Sequence, residues 1–389
     1  MLAAAALLVT TALHGDGSPP PPFVAFPAMS GDAGARGGYV GEYVLALANA
    51  TLKHTISGFS SGGGMVANHL VAFSSVVQGA GIVAGNPYGC GSLSTASLSC
   101  NYGSPIIDLD ALYSYTAARA KAGAIDATAH LRGKPVYVYS GTRDTIVATA
   151  VLRKTNAYFG HYCGAANVVF VQDVASQHGY ITNNYGECCA CMKGSWILNC
   201  NYDQPGAIFR HLLGSGIVAR ATAVPRANMK YVSQRHYAPK GKQWSSCQMQ
   251  DHAFVYVPSG CAGAKLGTCQ VHVNYHGCSG TGINGPRHVG YSAYGESNGI
   301  VIVYPQAKPG TGNPTGCWDW TGVTGKDFDT HGGCQVATVV ALINDLASAL
   351  AAGSVATDDD DFAVPPPMTA DDVARQDAAS AAGGDQVVE

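Results

Sequence analysis

Charge is scarce in this chain. Only 12% of its 389 residues are Asp, Glu, Lys or Arg, about half of the roughly 25% usual in soluble domains. The net charge of −3 is also uneven. From Ser354 onward there are nine acidic residues and one basic, so the body before that point carries +5. A surplus that small excludes the basic face that nucleic-acid binding requires. No apolar run reaches the ~18 residues of a membrane span, so no membrane partner is expected. No internal repeat is present, which excludes solenoids and propellers. "CCAC" at 188–191 lacks the second Cys pair or the spaced His pair that a zinc site needs. A metal role for it is the weakest reading, and no metal is expected. The N-terminus has an apolar run but no basic residue before it, which a secretory leader normally has.

What the chain does have is glycine, tyrosine and cysteine. There are 49 Gly, 20 Tyr and 13 Cys, and 47% of residues are hydrophobic. A charge-poor surface of this kind suits a secreted hydrolase that meets uncharged substrates. The cysteines cluster at short range as Cys90/Cys100, Cys191/Cys200 and Cys261/Cys269. They read as a disulfide framework, hence an oxidising, extracellular compartment, and the odd count leaves one thiol over or paired between chains. Residues 1–27 read as a signal-like, Pro-rich leader, 28–353 as a single domain and 354–389 as an acidic disordered tail. Asn49–Thr51 is a glycosylation sequon.

Strand and helix signals alternate along the body. Strands are expected at 52–59, 77–85, 134–141, 167–173, 253–260, 269–278 and 299–307. Helices are expected at 63–74, 203–214 and, as one long piece, 333–353. Residues 216–243 are basic and irregular and read as a connector. Alternation of this kind predicts an α/β fold, a mostly parallel sheet with helices on both faces.

The stretch "HTISGFSSGGGMVANHL" at 54–70 holds Gly-x-Ser-x-Gly, with Ser60 flanked by Gly58 and Gly62. A Gly/Ser linker could carry the same letters. Here, however, a strand signal precedes the motif and a helix signal follows it. That is the setting of a nucleophile elbow, whose sharp turn leaves no room for side chains at ±2. Ser60 is then the nucleophile, and the N–H of Ser61 is one arm of an oxyanion hole. A serine hydroxyl needs a base, and the base an orienting acid. Asp144 follows the 134–141 strand and His178 follows the next one, giving the order Ser, Asp, His. Asp173 is the rival acid, but it shares the loop of His178.

The second oxyanion donor normally lies on a strand before the nucleophile. None is there. "VHVNYHGCSG" at 271–280 comes after the histidine instead, with the Cys278 N–H suited to the role. The helix at 333–353, which would normally lead into the nucleophile strand, ends the domain. The chain therefore reads as a circularly permuted α/β-hydrolase, cut before its nucleophile strand.

Taken with "AGNPYGC", "LSCNYG", "SGTRDTIV", "LNCNYD", "HGC", "VYPQA" and "GCWDW", this order resembles the secreted, circularly permuted poly(3-hydroxybutyrate) depolymerases of the fungal type over residues 45–350. The resemblance implies Ser60, Asp144 and His178 as the triad, and Ser61 and Cys278 as the oxyanion hole. It implies substrate binding by Trp320, an exposed aromatic at the crevice mouth, beside a more buried Trp318. It also implies a Cys278–Cys317 disulfide. Cys163, Cys188, Cys189, Cys191, Cys247 and Cys334 depart from the family pattern, and Cys188, Cys189 and Cys191 compete for Cys200.

The expected activity is a serine esterase cleaving short-chain polyhydroxyalkanoate, acting as a monomer on a polyester polymer or oligomer. No cofactor is needed, since the triad chemistry is complete in itself. The alternatives are a feruloyl or acetyl-xylan esterase, which shares the elbow, and a non-catalytic polymer-binding protein, which would have no use for the triad.

Overall fold

A computed structural model of the chain describes residues 52–93, 97–103 and 107–356. The expected leader, the sequon and the acidic tail from 357 on lie outside the described residues. The core is a nine-stranded sheet. In chain order its strands are β1 His54–Phe59, β2 Val77–Val83, β3 Val136–Tyr139, β4 Val168–Val171, β8 Met229–Ser233, β9 His252–Tyr256, β10 Gln270–Tyr275, β11 Ile300–Tyr304 and β12 Ser354–Val355. Across the sheet they lie in the order β12-β8-β9-β11-β10-β1-β2-β3-β4. A separate small sheet joins β5 Tyr180–Thr182, β6 Glu187–Cys188 and β7 Ile197–Asn199. The six strands from β11 to β4 run parallel, while β9, β8 and β12 are added antiparallel at one side. Every residue of β1, β3 and β11 is buried. A sheet wet on one face would alternate, so this pattern marks strands covered on both faces. This is the mostly parallel α/β-hydrolase sheet expected from the sequence.

The cover comes from α1 Ser61–Ala72, α2 Leu109–Lys121, α3 Thr149–Cys163, α4 Gln204–Leu213, α5 Tyr291–Asn298, α6 Cys334–Asn344 and α7 Leu346–Ala352. Among the described residues no single helix is long and apolar enough to cross a membrane. Three sequence expectations are corrected. Residues 229–233, read as connector, form strand β8 on β9. The helix expected over 333–353 is two helices bent by 83°. The break falls at Asp345, whose carboxylate accepts a hydrogen bond from Tyr237 Oη at 3.1 Å. Helices α2 and α3 were not foreseen. In α2 only Leu112 and Thr116 are buried, too few to set a periodic pattern.

All thirteen cysteines fall among the described residues. Cys90–Cys100, Cys261–Cys269 and Cys278–Cys317 are paired, as spacing or resemblance led one to expect. The pairing of Cys191 with Cys200 is corrected: Cys191 joins Cys188, and Cys189 joins Cys200. The register explains this, because β6 lies on β7 with Cys188 opposite Asn199, which brings the next residue of each strand together. Cys247 joins Cys334, and Cys163 is a buried free thiol.

Candidate active site

The site begins with the turn from β1 into α1. Ser60 has φ +57° and ψ −123°, a left-handed backbone that a side-chain-bearing residue adopts only when its surroundings force it. The flanking glycines supply the force. A Cβ on Gly58 would lie 2.4 Å from Gly62 O, and one on Gly62 would lie 2.4 Å from the carbonyl oxygens of both Tyr275 and His276. The turn is thus wedged against the end of β10. Parallel pairing of β1 with β10 sets Gly58 opposite Tyr275. The turn at 276–278, which comes more than two hundred residues after Ser60, therefore lies beside that serine. That is the adjacency the permuted reading required.

His178 and Asp144 reach Ser60 from loops at the same end of the sheet. Ser60 Oγ lies 2.8 Å from His178 Nε2, and His178 Nδ1 lies 2.8 Å from Asp144 Oδ2. A carboxylate oxygen accepts, so Nδ1 carries the proton and Nε2 is left as the acceptor for the Ser60 hydroxyl. The other Asp144 oxygen accepts from the amides of Ile146 and Val147 at 2.9 and 2.8 Å. The His178 and Asp144 side chains are only 3% and 2% exposed, so little water competes for these bonds. Phe59, the variable residue of the elbow motif, packs on the imidazole at 4.5 Å between ring centroids. The rival Asp173 is exposed and makes no contact with His178 among the described bonds.

A crevice opens over Ser60. Its walls include Ser61, His178, Trp196, Cys278, Trp318 and Trp320. Ser61 is the first residue of α1, so its amide has no acceptor within the helix. His276 holds the opposite lip. Its Nε2 accepts from the Ala307 amide at 3.0 Å, so its Nδ1–H donates to Gly277 O at 2.6 Å. Burial depresses its pKa to about 4, which keeps the ring neutral in that tautomer. The Cys278–Cys317 bond ties this lip to the tryptophan segment. There Trp318 is fully buried, edge-on to Tyr275 at 5.0 Å. Trp320 is half-buried rather than exposed and faces the crevice. Asp319 between them is buried and gathers the loop by accepting from the amides of Thr321, Gly322, Val323 and Thr324.

Sequence reasoning did not single out Phe59, Asp319 or Trp196. The first two follow from their places inside the quoted motifs. Trp196 had no such signal, lying in the Cys-rich stretch that departs from the family pattern. No cluster of metal-ligating side chains is found among the described residues, and the four sulfurs of 188–200 are all in disulfides.

No family model matches the chain. Two known proteins are similar to it along most of its length. It is 33% identical over 301 residues to a poly(3-hydroxybutyrate) depolymerase of Delftia acidovorans, an alignment covering 76% of this chain and 59% of that protein. It is 31% identical over 316 residues to a polyhydroxybutyrate depolymerase of Talaromyces funiculosus, covering 76% of this chain and 89% of that one. The chain thus spans well under two thirds of the Delftia protein and most of the fungal one. Two solved structures superpose on it at 28% identity, each covering 77% of this chain and 98% of the other. One is a serine-to-alanine variant of a PHB depolymerase complexed with an R3HB trimer, at TM-score 0.69. The other is a PHB depolymerase from Penicillium funiculosum, at TM-score 0.68.

Proposed function

The chain belongs to the poly(3-hydroxybutyrate) depolymerases, and from that membership we propose that it hydrolyses the ester bonds of poly(3-hydroxybutyrate) or a related short-chain polyester through an acyl-enzyme on Ser60. The observation that carries this reading is the unbroken Ser60–His178–Asp144 relay, with both links at 2.8 Å, at the floor of an aromatic crevice. Ser60 Oγ attacks the ester carbonyl as His178 Nε2 takes its proton. Asp144 holds the imidazole in the accepting tautomer and stabilises the imidazolium. The amides of Ser61 and Cys278 receive the oxyanion, the largest single source of rate in such sites. His178 then gives its proton to the departing alcohol, and water, activated by the same imidazole, releases the hydroxyacyl product. Trp320 grips the chain from the crevice wall. A polyester repeat is uncharged, which suits a chain so poor in charge. The six disulfides suit action outside the cell.

The test is clearing of a poly(3-hydroxybutyrate) suspension by the purified protein, with Ser60→Ala as control and a feruloyl ester in parallel. Clearing by the wild type and none by Ser60→Ala is the expected result. Serine-dependent feruloyl release without clearing would keep the triad and overturn the polyester substrate.

A further inference from the structure

The cysteine-rich stretch that the catalytic scheme leaves unused converges on one side chain. Trp196 has φ +56°, a conformation in which an aromatic residue is a genuine outlier. Its indole Nε1 is buried with no hydrogen-bond partner among the described residues. Both features disfavour tryptophan at this position on folding grounds, and strained residues of this kind gather at functional sites. The surrounding loop is built to hold it. The Glu187 carboxylate accepts from the amides of Lys193 and Ser195 at 2.6 and 2.7 Å. Cys188–Cys191 and Cys189–Cys200 close the loop on both sides. Trp196 O accepts from the Tyr180 amide at 2.8 Å, and Cys189 O accepts from the Gln177 amide at 2.8 Å. These last two bonds grip the chain on either side of His178.

Held this way, Trp196 stands edge-on to the His178 ring, at 6.1 Å between centroids, and lines the crevice. His178 Nε2 must deliver its proton to the oxygen of the departing alcohol, so that oxygen lies at the imidazole. The substrate beyond it passes over whatever borders His178. Of the aromatic rings on His178 among the described residues, Phe59 is buried and Trp196 is only half-buried.

We propose that Trp196 is the contact for the hydroxyacyl unit on the leaving-alcohol side of the scissile ester, a second aromatic wall separate from Trp320. The loop at 188–200, cross-linked by two disulfides, presents it, and the role rests on the polyester reading above. A methyl-bearing, uncharged repeat is what an aromatic face takes well.

The test compares wild type, Trp196→Gly and Trp196→Phe on two soluble substrates, with thermal melting of each protein recorded. One substrate is the (R)-3-hydroxybutyrate trimer. The other is methyl acetate, whose leaving methanol is too short to reach past His178. Glycine is chosen because it takes a left-handed backbone without strain. Trp196→Gly is expected to raise KM for the trimer at least tenfold, with the larger change in KM rather than kcat, and to lower kcat/KM at least fivefold more for the trimer than for methyl acetate. Trp196→Phe should restore trimer KM to within about threefold of wild type. Unchanged trimer kinetics in Trp196→Gly, or an equal loss on both substrates in a protein that melts as the wild type does, overturns the role of Trp196 alone. If Trp196→Gly does not fold, Trp196→Asn decides, since asparagine also tolerates a left-handed backbone but offers no aromatic face: a trimer KM raised at least tenfold relative to methyl acetate is expected, and an unchanged substrate ratio alongside a shifted melting point would mark a purely structural residue. Failure of the wild type to cleave the trimer overturns the polyester reading, and the proposed contact with it.

Discussion

Both carboxylate oxygens of Asp144 are committed, one to His178 Nδ1 and the other to two backbone amides. Asparagine has one oxygen for these two tasks. If it serves the amides, its NH2 faces Nδ1 and drives the imidazole proton to Nε2, where it blocks transfer from Ser60. Asp144→Asn should therefore fold and melt near the wild type while kcat falls on the order of 10³–10⁴-fold. Esterase assay and thermal melting of the same preparation check this, and retention of a tenth of the activity would break the tautomer argument. The residues of the relay were legible because elbow chemistry imposes a spacing and the fold imposes an order. Trp196 was not, because its place depends on which of three cysteines meets Cys200. That choice is made by the register of β6 on β7, and nothing in the local sequence encodes it.

At the level of elements, β1 is flanked by polar groups buried out of reach of water. His54 Nδ1 donates to Leu52 O at 2.9 Å, so its Nε2 accepts from His69 Nε2 at 3.1 Å. His69 Nδ1 in turn accepts from Tyr275 Oη at 2.8 Å. Across the strand, His272 joins Thr55 and Ser57 at 2.8 and 2.7 Å. His54 and His69 each have one neutral tautomer that closes the chain, and an added proton on either breaks it. Burial accordingly lowers His54 to about 4, His272 to about 3 and His69 well below its ordinary value. Because folded values are depressed, the unfolded chain takes up protons first. Stability is full above about pH 6.5 and is lost as pH falls towards 4, at up to ~1.4 kcal/mol per pH unit for each histidine. Urea midpoints should drop steeply between pH 7 and pH 5, and His272→Gln should flatten the slope. A flat profile in the wild type would show that these rings are protonated in the fold. The strands that carry this network were readable as apolar runs. Strand β8 was not, since only Met229 and Val232 of it are buried. The break at Asp345 was also hidden, because the apolar period runs straight through it and the Tyr237 hydroxyl that holds Asp345 comes from a distant loop.

The whole molecule turns on an inverted order of parts around an ordinary sheet. The end of α6 meets the start of β1 directly: the Leu52 amide donates to Asn344 Oδ1 at 3.1 Å. The helix that would precede the nucleophile strand in an unpermuted chain is therefore already beside it. The sequence made this visible because permutation leaves each motif intact and changes only their order along the chain, which can be read even where strand positions are blurred. If spatial order alone carries the fold, the cut can be moved. Helix α7, with 7 residues, rises about 10 Å from the bend. Gly353 leads into β12, five strand spacings or roughly 24 Å from β1, and a Gly/Ser linker of about twenty residues spans that distance and can return to Leu52. New ends fit between Leu213 and Met229, where most residues are exposed and a break disturbs little packing. A chain that starts in this stretch and joins Gly353 to Leu52 through the linker should fold, form the same relay and keep esterase activity within about tenfold. Circular dichroism, melting and ester hydrolysis measure this. A soluble, inactive or molten product would mean that β1 must be made ahead of β10 for the elbow to wedge against the end of that strand. The permuted order would then be part of how the site is assembled, not only a rearrangement that the sheet tolerates.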